Sequence, residues 1–273
     1  MNEIYEELIK MQKSGEQCMM VTVVESMGST PSVVGKKMLV GESGSSFGTV
    51  GGGAIEYYAR EKCKSLINEK KSVLEKYLLN EGKIVEDTKT LPMACGGKVS
   101  LFYEYIGPKA YVYIFGAGHV GQALTNVLKT MDFYVTLIDD RKEVYDSLKI
   151  YDRKVLSNYS EFLEKERIKD NSYVVICTPS HKYDYNVMNK IIELKLKPKY
   201  IGMLCSEKKL KEFVEKTYEN FGRKIELTNF YAPIGLDIGG GSPEEIAISI
   251  ASEILSVVYN KKGHKHMAAE IKW

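Results

Sequence analysis

Cys95 sits in the stretch Met93-Ala94-Cys95-Gly96-Gly97, and of the five cysteines (Cys18, Cys63, Cys95, Cys177, Cys205) it alone lies in a glycine turn. Glycines remove side-chain bulk and let a ligand meet both a sulfur and main-chain N–H groups. Exposure and neighbouring N–H groups would lower the thiol pKa and favour the thiolate, so Cys95 is a candidate for chemistry; the bland alternative is a turn cysteine of no consequence. A second pattern follows at Gly116-Ala117-Gly118-His119-Val120-Gly121. It comes after an apolar run, opens a helix, and is followed by another apolar run ending at Asp139, which is the spacing of a dinucleotide-binding fingerprint. Gly116 permits the tight turn, Gly118 lets a pyrophosphate approach the backbone, and Gly121 lets helix and strand pack closely, with the helix N-terminus facing the phosphates. An acid at 139 would bind a ribose hydroxyl and favours NAD over NADP; Arg141 weakens that preference.

Three further places could carry chemistry. Gly51-Gly52-Gly53 precedes a helix, and three glycines in a row imply either an anion-holding nest or a plain loop. Glu56, in the first turn of that helix, suits the helix dipole or could accept a proton. Asp237-Ile238-Gly239-Gly240-Gly241-Ser242 is a third glycine run leading into a helix, either a loop that folds over a ligand or a connector. His181 follows an apolar strand at the carboxyl end of a sheet, where open α/β folds bind ligands. A lone histidine is more often structural, and no partner for His181 is visible in the sequence. The four histidines show no metal-ligand spacing.

The elements that must position these residues fall into two patterns. From Tyr111 onward, strands at Tyr111–Phe115, Tyr134–Ile138, Lys154–Leu156, Tyr173–Cys177 and Tyr200–Met203 alternate with helices beginning near Val120, Tyr159, Tyr183 and Glu207, the rhythm of a parallel sheet. Ser242, Pro243 and Glu245 form a capping box for a last helix running to about Val258. Before Gly107-Pro108 the βαβ rhythm is missing: strands at Met19–Val24, Lys37–Val40, Val73–Leu79 and Lys98–Tyr105 accompany one helix from about Ile55 to Glu69. The fold class expected is α/β, with a C-terminal Rossmann-type parallel-sheet domain (109–258), a smaller N-terminal α+β domain (1–106) and a basic tail (259–273).

Composition narrows the classes. With Lys+Arg 38 against Asp+Glu 36 and a net charge of +2, electrostatics argue for neither nucleic acid nor membrane as partner. An odd number of dispersed cysteines without C-x-x-C argues against a disulfide framework and for the reducing cytoplasm. The N-terminus lacks the pattern of a signal peptide, and no apolar run is long enough to span a bilayer.

Taken together, the motifs resemble the XdhC/CoxI family of accessory factors for xanthine dehydrogenase and related molybdenum hydroxylases. The resemblance is carried by Val21-Thr22-Val23-Val24 leading to Gly28-Ser29-Thr30-Pro31, then Gly35, Gly48-Thr49-Val50-Gly51-Gly52-Gly53 and Glu56, and by Cys95-Gly96-Gly97. In the second half it is carried by the fingerprint with His119, by Tyr200-Ile201-Gly202-Met203, and by Ala232-Pro233-Ile234-Gly235-Leu236-Asp237-Ile238-Gly239 running into Ser242-Pro243-Glu244-Glu245. Ser32 stands where the family often has arginine. The resemblance implies a cofactor chaperone rather than a turnover enzyme, one that binds molybdenum cofactor, holds it while a cysteine desulfurase supplies the sulfido ligand, and delivers it to an apo-hydroxylase such as xanthine dehydrogenase. It implies Cys95 as a molybdenum contact, with the glycine turns, Asp139, Arg141 and Asp237 binding the cofactor or NAD(P). A homodimer is the default assembly. The competing expectations are an NAD-dependent oxidoreductase using His181 as acid or base, and a non-catalytic NAD-linked redox sensor.

Overall fold

The computed structural model describes residues 2–80, 89–91, 96–222 and 229–261; Cys95, His264, His266 and most of the basic tail lie outside them. The chain divides into two compact units, Met1–Pro108 and Lys109–Trp273. Among the described residues no helix is long and apolar enough to cross a membrane.

The first unit contains α1 (Asn2–Ser14), β1 (Cys18–Met27), β2 (Lys37–Gly41), β3 (Ser46–Gly48), α2 (Gly53–Glu69), β4 (Val73–Leu79), β5 (Lys89–Leu91) and β6 (Lys98–Ile106). Its strands form one sheet in the order β3-β2-β1-β6-β4-β5. Alternation along β1 explains why both faces are covered. Met19, Val21 and Val23 pack with Ile55, Ala59, Cys63, Leu66 and Ile67 of α2, while Cys18 and Met20 pack with Ile4 and Met11 of α1. Full burial of each valine, leucine, isoleucine or methionine among them is worth roughly 1.5–3 kcal/mol. That packing fixes α2, and with it the glycine loop that enters it.

The second unit contains β7 (Tyr111–Phe115), α3 (His119–Lys129), β8 (Tyr134–Asp139), α4 (Lys142–Ser147), β9 (Arg153–Leu156), α5 (Tyr159–Lys165), β10 (Tyr173–Ile176), α6 (His181–Glu193), β11 (Tyr200–Met203), α7 (Glu207–Phe221), β12 (Phe230–Tyr231) and α8 (Pro243–Val258). The sheet is parallel throughout, in the order β12-β11-β10-β7-β8-β9. This is the doubly wound order that reverses direction beside its first strand. Val112 and Ile114 of β7 face a core shared with α3 and α8, whereas Tyr111, Tyr113 and Phe115 face one shared with α5 and α6. Both faces are buried, so the strands read as continuous apolar runs.

Four elements escape the sequence pattern because they are short, α4 and the strands β3, β5 and β12, and α1 adds a second helix to the one expected in the first unit. Helix α6 begins at His181 rather than near Tyr183, since Ser180 caps it by accepting a hydrogen bond from the Lys182 N–H. The expected capping box of α8 is present, with Ser242 accepting from the Glu245 N–H and the Glu245 carboxylate accepting from the N–H groups of Gly241 and Ser242.

The Ala232–Gly235 segment is anchored to α8 by Glu253. Its buried carboxylate accepts from the Tyr200 hydroxyl and from the Gly235 N–H at 3.0 Å. Glu253→Ala would orphan both donors, one of them on a fully buried tyrosine, at about 1–3 kcal/mol for each group. The expected result is a lower urea midpoint for the second unit; an unchanged midpoint would mean the carboxylate is not the anchor.

Candidate functional site

In the first unit, three glycine turns pack against one another. A Cβ on Gly97 would stand 2.4 Å from the Ser29 carbonyl oxygen, and one on Gly28 would stand 3.4 Å from the Gly97 Cα. No side chain fits between these turns. A Cβ on Gly51 would stand 2.5 Å from Ser32 Oγ, and that buried hydroxyl donates to the Val50 carbonyl at 2.6 Å. Ser32 therefore ties the Gly28–Pro31 turn to the Gly51–Gly53 loop. Two of the glycines are open among the described residues: no described atom outside the chain neighbours lies within 4 Å of a Cβ built on Gly52 or Gly96, both of which have positive φ. The Gly96-Gly97 turn is pinned to β4, the Gly96 N–H donating to the Leu79 carbonyl and the Leu79 N–H to the Gly97 carbonyl.

Glu56 is engaged with this loop. Its Oε2 accepts from Thr49 Oγ1 at 2.7 Å and from the Gly52 N–H at 2.9 Å, so it closes the glycine loop onto the start of α2. The part it plays is to hold the loop shape from the first helical turn.

Cys95 precedes Gly96 in the chain and lies outside the described residues. The remaining thiols are poor thiolate candidates. Burial pushes Cys63 up to about 12; burial, with Glu16 and Glu42 adding to it, does the same for Cys18. Burial, then Asp184, raises both Cys177, to about 12, and Cys205. A thiol in that range stays protonated near neutral pH.

In the second unit the fingerprint occupies the crevice where the strand order reverses, between the carboxyl ends of β7 and β10. Gly116, at φ +108°, lies against the β10 side: a Cβ there would stand 2.3 Å from the Cys177 carbonyl oxygen. Cys177 in turn donates its thiol to the Gly116 carbonyl at 3.2 Å. A Cβ on Gly121 would stand 2.1 Å from the Gly116 carbonyl oxygen, so this glycine lets α3 sit on the loop. Gly118 is the open one, with only Arg141 Nη2 nearby at 3.9 Å from its Cβ position. His119 and Val120 form the first turn of α3, with the His119 side chain exposed.

The ribose role expected of Asp139 is not open to it. The carboxylate is 1% exposed; Oδ1 accepts from the Arg141 N–H and Nε, and Oδ2 from the Ala117 N–H and Arg141 Nη2. Both oxygens are saturated. Burial works to raise its pKa, but the Arg141 guanidinium and the two backbone N–H groups outweigh it and hold the carboxyl below the ordinary aspartate range. Asp139 thus fixes the glycine loop and Arg141 together.

His181 acquires a partner the sequence does not reveal. Its Nδ1 lies 3.3 Å from Asp184 Oδ2, while Asp184 Oδ1 accepts from Thr178 Oγ1 at 2.6 Å and from the Thr178 N–H at 3.2 Å. Asp184 is 2% exposed and the His181 side chain 44%, so a buried carboxylate orients a solvent-facing imidazole. Burial pushes the Asp184 carboxyl up, against the Thr178 and His181 contacts that lower it. The signal is an acid three residues on in a helix, legible only once the helix is known to start at His181. Asp237 is exposed in the loop after β12 and makes no side-chain hydrogen bond to a described residue. Among the described residues no group of three or more His, Cys, Asp or Glu could hold a metal ion.

Family models for the XdhC Rossmann domain and for the XdhC and CoxI family match residues 112–254 and 11–77, which hold the fingerprint and the first two glycine turns. The chain belongs to the XdhC and CoxI family. Among the relatives of this XdhC-family chain, the protein YqeB of Escherichia coli (strain K12) is 28% identical over 264 residues, covering 95% of this chain and 47% of that one. A probable xanthine dehydrogenase subunit of Bacillus subtilis (strain 168) is 27% identical over 159 residues, 57% of this chain and 45% of that one. The chain thus spans about half the length of the curated relatives it matches. A crystal structure of a xanthine dehydrogenase from Bacillus halodurans shares the fold, with a TM-score of 0.50 and 20% identity over 94% of this chain and 96% of that one.

Proposed function

We propose that this XdhC-family protein is an accessory factor that binds molybdenum cofactor, holds it while a cysteine desulfurase supplies its sulfido ligand, and passes it to an apo-hydroxylase such as xanthine dehydrogenase, working as a cytoplasmic homodimer. The observation that carries the reading is the convergence of the Gly28, Gly51 and Gly97 turns, with Cys95 joined directly to Gly96. Close-packed glycine turns let a phosphate-bearing pterin approach the backbone without side-chain bulk, and a thiolate is a soft ligand suited to molybdenum. Family membership and the name of the Bacillus subtilis relative support the choice of hydroxylase. In the same reading the second unit holds a nucleotide at Gly116–Gly121. The test is hydroxylase activity in cells with and without this protein; activity that does not depend on it would end the proposal.

A second reading, NAD-dependent oxidoreduction, is favoured by the His181–Asp184 pair beside the fingerprint. An imidazole oriented by a buried carboxylate can accept the proton of an alcohol as hydride leaves its carbon. NADH consumption with a panel of small carbonyl compounds is the assay for it.

A further inference from the structure

With Asp139 saturated, a ribose diol at the fingerprint needs another acceptor. Breaking the Asp139–Arg141 fork to admit the diol would give up two charge-assisted hydrogen bonds for two of ordinary strength. The next residue is Asp140. It follows β8 at the carboxyl end of the sheet, is partly exposed, and its carboxylate accepts no hydrogen bond from a described residue. Beside it are two donors with capacity to spare. Arg141 reaches Asp139 through Nε and Nη2, and Nη1 bonds to no described group. The Tyr159 hydroxyl is buried, on a residue 1% exposed, and makes a weak contact with the Asp140 N–H but no full hydrogen bond, so its own proton is unspent. It lies close enough to Asp139, Asp140 and Arg141 for their charges to act on it.

Charge decides which ribose these groups suit. The Arg141 guanidinium is already matched by Asp139, and Lys142 is paired with Asp146, so Asp140 leaves an uncompensated negative charge on this turn. A 2′-phosphate placed there would meet that charge, whereas a free diol can donate to Asp140 and accept from Tyr159 and Arg141.

We infer that Asp140, rather than Asp139, reads the ribose at this site, and that the site takes a dinucleotide with a free 2′-hydroxyl in preference to its 2′-phosphate. The inference rests on the reading of Gly116–Gly121 as a nucleotide site. Fluorescence titration of the full chain with NADH and NADPH separates the two. NADH is expected to bind more tightly by about tenfold, the scale of one hydrogen bond to a charged group. Asp140→Ala, which removes no side-chain hydrogen bond among the described residues, should keep the melting temperature and erase most of that preference. Tighter binding of NADPH, or a preference that Asp140→Ala leaves intact, overturns the assignment of Asp140 while the nucleotide reading stands. Binding of neither dinucleotide overturns both.

Discussion

Gly121→Ala is expected to destabilise the second unit and abolish ligand binding at the fingerprint. The added Cβ would lie 2.1 Å from the Gly116 carbonyl oxygen, a backbone atom that cannot swing aside. Helix α3 would have to lift from the loop, and overpacking of this kind costs about 1–3 kcal/mol or more out of a total of roughly 5–15 kcal/mol. Gly118→Ala is the matched control. Its φ is −71° and only the end of Arg141 is near its Cβ position, so its urea midpoint should stay within about 0.5 kcal/mol of the parent. If both variants melt alike, the distinction between a packing glycine and an open one is wrong.

Cys95→Ala is expected to reduce hydroxylase activation by about tenfold or more, the scale on which groups at a metal site act, while leaving thermal stability near that of the parent. Gly97→Ala should lose both, because its Cβ would stand 2.4 Å from the Ser29 carbonyl oxygen and 2.9 Å from that of Met27, forcing two of the glycine turns apart. The contrast separates a chemical role for the sulfur from a structural role for the turn. Replacing Cys63 offers a further comparison: its buried thiol, pushed up to about 12, should affect packing and not activation. Full activation by Cys95→Ala would leave the glycine turns without the thiol that the proposal gives them.

The fold is legible where local signals are long and redundant. The apolar runs of β7, β8, β10 and β11 are buried on both faces, so period and position agree, and the glycines of the fingerprint fall where a strand must turn into a helix. Strand β12 is not legible because two residues carry no period, and its place is fixed instead by pairing with β11. At the sites, residue types are readable but their commitments are not. Asp139 stands at the ribose position in the sequence, yet the conformation of the β8–α4 turn brings Arg141 back onto it and uses every acceptor it has. Glu56 reads as a first-turn acid, but only the folded loop brings Thr49 and the Gly52 N–H to it. His181 looks solitary because its partner lies one helical turn further on, in a helix that starts two residues earlier than the apolar pattern suggests.

Whether this chain carries molybdenum cofactor is decided by releasing and weighing whatever small molecule the protein holds. Protein purified from cells making the cofactor should yield a molybdopterin species by mass spectrometry, and the Cys95→Ala protein from the same cells should yield much less. A parent protein that carries no molybdopterin under those conditions is not a carrier of the cofactor.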